Sequence, residues 1–412
     1  MSVTEPGTGD FLLDRSLHGS RGHSRRNEWV YIAYKTLSLS VVDRAIFMLF
    51  LIYKGFDPFQ IGVLQSVFFI ANMVAEVPSG LFGDAFGRKR SVMLGLGTYC
   101  IFAIGVIVCD GFASFLVLYA LLGLALALVY GSDTALIYDS LAADGRAEEF
   151  NRVQLRANAL GLMSGAVAVL AGGALQILSW DAVYVGYLIV NLAAIAVWCF
   201  AIEPIAVRRP DGRSDVSRQL RDYIRGNWRR IGLPILGFTV FAASTTPFLT
   251  FSQALFNEQG ISVQTITWFF CGSQILIGVV YVILQRRMAL LGFYPVLLVT
   301  TAMTSVLLAL LFLNIPAITF GTFLLAMVFS PIVTIVANNY FNVSLPSGVR
   351  ASFLSLIGIC MSAAIAVMYY LYGYMTESMP LHKVMAWTAV VPVLAFAIFV
   401  LSARIEMARS RP

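Results

Sequence analysis

Five ionisable side chains interrupt otherwise apolar stretches of this sequence: Lys35, Asp43, Arg44, Glu76 and Asp133. A charged residue at the depth of a bilayer costs about 2.5–3.5 kcal/mol to insert, so its retention argues for a use. Asp43 and Arg44 fall near the middle of the first apolar run. Consecutive positions on a helix point about 100° apart, so each of the two would need a partner on another element. Burial disfavours a charged carboxyl and a nearby arginine favours it, so an acid presented alternately to two aqueous phases can load and release a proton. On that chemistry Asp43 is the first candidate for proton coupling, Arg44 is its counter-charge or a solute contact, and Asp133 or Glu76 is a second carrier. The alternative is permanent pairing of these acids with Arg44, Lys35 or the basic residues at 88–90, which would only fix helix packing.

The second half of the chain places no charge clearly inside its apolar runs and offers neutral polar groups instead. Thr246, Thr250, Gln253 and Asn257 recur at i, i+4, i+7 and i+11, a stripe on one helical face. Gln274, Asn338 and Asn339 add amides, and Tyr369, Tyr370 and Tyr372 add phenols, while Gln65 and Asn72 share a stripe with Glu76. Gln65, Asn72, Thr246, Thr250, Gln253, Gln274 and Asn338 are therefore the expected lining of a solute cavity. Acids on one wall with amides and aromatic rings on the other suit an amphiphilic or cationic organic solute. Any of these groups can equally serve as a bond between helices.

The elements that must position these residues follow from composition. The 412 residues are 59% hydrophobic and 12% charged, with a mean hydropathy of +0.81, whereas soluble domains carry roughly 25% charged residues. Apolar runs of about 20 residues recur along the chain, each long enough to cross a hydrocarbon core of about 30 Å as a helix. They predict an all-α membrane protein of twelve transmembrane helices in two six-helix bundles. The helices are expected at 30–53, 59–82, 91–109, 113–140, 157–179 and 182–202, then at 231–256, 264–285, 293–313, 316–340, 351–376 and 384–403.

The same reading divides the chain into an amino-terminal tail (1–29), a first bundle (30–202), a basic linker (203–230), a second bundle (231–403) and a carboxyl-terminal tail (404–412). In the linker, Val216, Leu220, Tyr223 and Ile224 recur at helical spacing among eight arginines, which suits either a helix lying at the lipid surface or a solvated one. With the amino terminus inside, twenty-four of the twenty-eight Lys and Arg fall on cytoplasmic segments, so both termini are expected in the cytoplasm and the chain in the cell inner membrane. Pro247 and Pro331 interrupt the seventh and tenth helices as bending points or static kinks.

Between the second and third helices the segment Gly80-Leu-Phe-Gly-Asp84-Ala-Phe-Gly87-Arg88-Lys89-Arg90 closely resembles the signature loop of the major facilitator superfamily, of the form GxLaDrxGrk. Gly80, Asp84, Gly87, Arg88 and Lys89 match it. Further similarity lies in Glu76-Val-Pro-Ser-Gly80, in the Gly131–Asp139 stretch of the fourth helix and in Arg350–Ser355. The resemblance implies the twelve-helix fold of this superfamily and secondary transport by alternating access. It also implies a loop that latches the halves in one state, with Asp139 placed as the acidic partner of Arg88. Gly80 would allow a helix to approach closely, and Gly87 a tight turn. The glycine-rich fifth helix (Gly161, Gly165, Gly172, Gly173) is similar to the antiporter motif of the superfamily, but its usual glycine-proline pair is absent. The equivalent loop of the second half, Gln285 to Gly292, contains no acid.

Other classes are excluded on parts. No zinc-protease, nucleophile-elbow, P-loop or dinucleotide motif is present, and the three histidines lie in the tail or an outer loop, so no enzyme is expected. Five scattered cysteines show no metal-ligand spacing, and neither a metal nor a cofactor is expected. The net charge of +6 reflects arginine on the cytoplasmic side and not nucleic-acid binding. The expected partners are a small-molecule substrate, protons and membrane lipids, with the chain a monomer. The leading expectation is proton-coupled efflux of a small amphiphilic compound; the alternatives are uptake of a sugar or organic anion, and a lipid flippase or transport-inactive receptor. Charge alternation makes a direct prediction: cysteines at Lys89 and Lys383 should label from opposite sides of the membrane, and labelling from a common side would refute the even number of crossings.

Overall fold

The computed structural model describes residues 9–204, 213–287, 292–345 and 350–409, and these are almost wholly helical, with no strand among them. Arg208, Arg209 and Asp211 of the linker, and residues 288–291 of the second-half loop, lie outside the described residues. So do the side chains of the linker's helical stripe at 216–224. Helix α9 (Arg213–Glu258) nonetheless runs as one piece from the linker into the seventh crossing.

Among the described residues eleven helices are long and apolar enough to cross a membrane. They begin where local chemistry starts them. Asp57 caps α3 (Pro58–Phe86) with a capping box: its carboxylate accepts from Gln60 N–H at 2.7 Å, and the Gln60 side chain accepts from Asp57 N–H at 3.1 Å. Ser179 caps α8 (Trp180–Cys199) through Ala182 N–H at 3.0 Å. Gly87, at φ 101°, makes the turn from α3 into α4 (Arg88–Val108), a conformation few other residues adopt.

Three expected helices are interrupted. The twelfth is divided at Thr388 into α14 (Leu381–Trp387) and α15 (Val390–Arg409). The fourth breaks at Tyr130 and Gly131 into α5 (Phe112–Val129) and α6 (Ser132–Ala143), with Gly131 at φ 87°. The first divides into α1 (Gly9–Ser38) and α2 (Phe47–Tyr53), and residues 39–46 between them are not helical. Asp43 and Arg44 thus lie in an unwound stretch, so the helical geometry expected for them does not apply.

The broken first element still crosses. Tyr34 packs on Trp198 at 4.5 Å between ring centroids, while Phe50 packs on Tyr184 at 4.4 Å and on Trp180 at 5.8 Å. Trp180 and Trp198 stand at opposite ends of α8, roughly 27 Å apart at helical rise, so α1 and α2 together run its full length. This is the twelfth crossing.

Sequence chemistry explains the break. The hydroxyls of Ser38 and Ser40 donate back to Lys35 and Thr36 carbonyls, and Ser164 of α7 (Phe150–Leu178) donates to Thr36 O at 2.7 Å. At Thr36 such back-bonding competes with the helical ladder, since its carbonyl takes two hydroxyls while the Ser40 N–H turns to Leu37 O at 3.0 Å. The glycines of α7 then make room for the bare backbone. A methyl on Gly165 would meet Leu39 O at 3.0 Å, and one on Gly172 would meet Val42 O at 2.0 Å.

The remaining helices are α10 (Val263–Arg287), α11 (Phe293–Leu310), α12 (Pro316–Ser344) and α13 (Arg350–Thr376). Helices α1–α8 pack among themselves, as do α9–α15; the two groups meet chiefly through α3 with α13, α7 with α10 and α2 with α9. The cores are arranged unequally. At the face bearing the basic loops each half has its own cluster: Tyr34, Leu136 and Trp198 in the first, Phe238, Phe341 and Phe399 in the second. At the opposite face one cluster runs through both halves, from Phe50 and Phe56 to Phe251, Phe323 and Tyr372.

Gly172→Val should therefore destabilise the protein by about 1–3 kcal/mol, the usual range for overpacking. Gly97→Ala, with nothing within 4 Å of the added carbon, should leave the melting temperature unchanged or raised. Equal melting of the two variants in detergent would refute the tight fit at the break.

Candidate functional site

The break places Asp43 and Arg44 on the boundary between the halves. Asp43 is 8% exposed. The phenol of Tyr184 lies beside its carboxylate, and the phenols of Tyr119 and Tyr187 lie within its field. Arg44 is exposed to water although protein surrounds it and its chain neighbours Val42, Asp43, Ala45 and Ile46 are buried. Among the described residues neither side chain forms an ion pair. The two do not neutralise each other.

Gln253 explains how the unwound backbone survives there. Its Nε2 donates to Arg44 O at 3.0 Å and its Oε1 accepts from Met48 N–H at 3.1 Å. One amide from α9 thus stands in for helical bonds that the first element has given up. Gln253 is 1% exposed and both ends of its amide are engaged, so the free solute contact expected of it is not what this structure places there.

The other members of the expected cavity separate. Thr250 bonds the Tyr369 hydroxyl at 2.6 Å and also donates to Thr246 O at 3.4 Å. Tyr369 stacks on Phe69 across the boundary between the halves. Asn72 donates to Ser362 at 3.4 Å. Gln65 and Gln274 are 7% and 3% exposed, the latter near Gly165, while Asn338 is exposed on α12. Much of the polar stripe therefore joins helices.

Two of the expected proton carriers have fixed neighbours. Lys35, in the last turn of α1, pairs with Asp133, in the first turn of α6, at 2.7 Å. A cation at a helix carboxyl end and an acid at a helix amino end each complement the local dipole as well as each other. Thr134 also donates to Asp133 through its backbone at 2.6 Å and its hydroxyl at 3.0 Å. Glu76 accepts from Ser355 of α13 at 2.8 Å, with Gly358 making room for its carboxylate.

The signature loop forms a second constellation at the basic face. Arg88 Nη1 pairs with Asp139 of α6. The Glu203 carboxylate accepts from the backbone N–H of Arg88 at 2.8 Å and of Lys89 at 2.7 Å, capping the amino end of α4. Lys89 Nζ donates to Cys199 O at 2.7 Å, and Trp198 Nε1 donates to Lys89 O at 3.2 Å. Gly87 lies against the Glu203 carboxylate, while Asp84 is exposed near the end of α3. The close helix approach expected at Gly80 is absent, because a methyl there meets nothing within 4 Å. It occurs one turn on, where Gly83 faces Ser132 at 3.2 Å.

Beside this loop Arg146 binds Glu149 and Glu28 at 2.7 Å and 3.0 Å. Their carboxylates, Glu149 foremost, hold its guanidinium above the ordinary arginine range. Asn27 bridges Ser140 and Ile202. Sequence reasoning missed Tyr184, Ser355 and the roles of Gln253 and Glu203. Glu203 carries the clearest signal, an acid immediately after an apolar run, but it was grouped with the linker.

A family model described as Major Facilitator Superfamily matches residues 36–252. A curated relative, an uncharacterised MFS-type transporter, YxaM, of Bacillus subtilis (strain 168), is 39% identical over 62 residues. That match spans 15% of this chain and 15% of the relative's length. Among solved structures, a mutant of the nucleoside transporter NupG superposes with a TM-score of 0.75 at 14% identity, over 92% of this chain and 99% of that one. A bacterial homologue of the human lysosomal transporter Spinster, inward-facing and unoccupied, gives 0.73 at 13% identity over 93% and 97%. A D-xylose-proton symporter gives 0.67 at 12% over 93% and 96%.

Gln253→Met keeps the size of the side chain and removes both hydrogen bonds, so the buried Met48 N–H loses its partner at about 1–3 kcal/mol, and the part-buried Arg44 carbonyl loses its own at less. Faster amide exchange at Met48 is the expected readout. Gln253→Glu accepts from Met48 N–H in either protonation state but donates to Arg44 O only while its carboxyl is protonated, so Met48 should keep its protection in this variant while losing it in Gln253→Met. Exchange at Met48 unchanged in Gln253→Met would remove Gln253 from this role.

Proposed function

The chain belongs to the Major Facilitator Superfamily, and from that premise we propose that it is a proton-coupled secondary transporter that exports a small amphiphilic organic compound by alternating access. That it is a membrane transporter follows from the family; the coupling, the direction and the solute are the proposal. The observation that carries it is Asp43, a buried carboxyl with no cation paired to it among the described residues, set in an unwound crossing where the two halves meet. An unpaired charge is costly in such a place, and taking up a proton removes that cost. Asp43 is thus the proposed proton carrier. Asp133, held by Lys35, and Glu76, held by Ser355, are secondary.

The moving bodies in this reading are residues 30–202 and 231–403, joined by the linker at 203–230. One core shared at the face opposite the basic loops, with separate cores beneath those loops, supports a state open toward the basic side. With the basic side cytoplasmic and the membrane the cell inner membrane, that is an inward-facing state. Arg88 with Asp139, together with Glu203 on the amino end of α4, is the proposed latch that rearranges when the other face opens.

A second reading, proton-linked uptake of an organic anion or sugar, is favoured by the exposed guanidinium of Arg44. An anion seated there repels a charged Asp43 and so travels with a proton.

Inverted vesicles distinguish these readings. Export predicts substrate-dependent proton release, lost by at least tenfold in Asp43→Asn and reduced less in Asp133→Asn. Proton flux unchanged in both variants would end the coupling role of these acids, and substrate moving together with the proton would favour uptake.

A further inference from the structure

At membrane depth the described charges are accounted for with one exception. Lys35 and Asp133 cancel at 2.7 Å. Glu76 is held by Ser355 and Asp43 is buried against Tyr184. The described crossings of the second half bring no charge to their interiors. What remains is Arg44, exposed to water, ringed by protein and without a carboxylate partner among the described residues.

Its position is fixed from both halves. Gln253 of the second half holds its carbonyl, and the α7 glycines of the first half seat the preceding backbone at Leu39 and Val42. A rocking motion between the halves therefore acts on the segment that carries this guanidinium.

We propose that Arg44 is the substrate-binding cation of this transporter, and that the solute carries a carboxylate, phosphate or similar anionic group that the guanidinium grips. The planar fork of arginine presents paired N–H donors that match the two oxygens of such a group, and its charge is not lost at any physiological pH. Low-dielectric walls around a single cation concentrate its field and draw anions toward it. The Phe69 ring, half-buried on the boundary between the halves against Tyr369, suits the uncharged remainder of the solute. This inference rests on the transport reading but not on its direction or its proton coupling. It also replaces the cationic solute expected from the acids alone, since Asp133 and Glu76 already have partners and Asp43 is buried.

The test is binding by the purified full chain without a gradient. The probes are matched phenylalkyl compounds that differ only in their head group: carboxylate, phosphonate, amide and trimethylammonium. The carboxylate and phosphonate should raise the melting temperature. The amide and ammonium should not. In Arg44→Gln the half-saturating anion concentration should rise roughly tenfold or more, the factor expected when hydrogen bonds to a charged group are lost. Arg44→Lys keeps the charge without the fork and should fall between.

A measurement on the unaltered protein guards against misfolded variants: the anions should protect Arg44 from phenylglyoxal, read on its peptide by mass spectrometry. Three outcomes would overturn the proposal. They are amide or ammonium probes binding as tightly as the anions, anion binding indifferent to Arg44→Gln, and no protection of Arg44 by either anion. Binding to the unaltered chain is read without a gradient, so a failure of proton coupling in the vesicle assay is distinguishable from a failure of this site.

Discussion

Backbone that leaves the helical pattern at the depth of hydrocarbon must have its polar groups satisfied by protein, because lipid offers none. Residues 39–46 impose that constraint here, and much of the molecule answers it. Ser40 and Ser164 take up the Thr36 carbonyl, the α7 glycines admit the bare carbonyls of Leu39 and Val42, and the Gln253 amide closes the far end of the gap. The last of these contacts comes from the opposite half of the protein. The unwound segment is consequently a joint between the halves as well as a crossing of the membrane.

That arrangement gives the consecutive charges at 43 and 44 different surroundings. A continuous helix would have sent them to neighbouring faces of one rod. In the break, Asp43 turns into a set of phenols while Arg44 stays open to water. The second half needs no charges of its own to take part. Its contribution is the amide that holds the segment and the hydroxyl pair of Thr250 and Tyr369 beside it.

The distribution of apolar cores bears on motion in the same way. A core common to both halves at one face, with independent cores at the other, concentrates inter-half packing at one end of the molecule. Along the boundary, α3 and α13 meet through small and polar groups: Gly62 beside Gly373, Ser66 donating to Ala366 O at 2.8 Å, Glu76 with Ser355. Such contacts allow two helices to approach closely without the interlocking of large side chains. At the basic face the Arg88 loop ties α4, α6 and α8 together within the first half.

By itself the sequence determined the class of the protein: long apolar runs, the alternation of basic loops and the segment from Gly80 to Arg90 specify a twelve-crossing helical fold and its superfamily. These signals are local, since each depends on neighbouring residues or on the run in which a residue sits. The tertiary structure alone decided which runs are broken and which polar groups find each other. Nothing in the composition of residues 39–46 announces that Gln253, more than two hundred positions away, completes their hydrogen bonds. Nor does it show that Lys35 claims Asp133 and leaves Arg44 without an ion-pair partner among the described residues. Pairing of that kind depends on which helices pack side by side, and a helical run read alone carries the facing of its residues but not the identity of its neighbours.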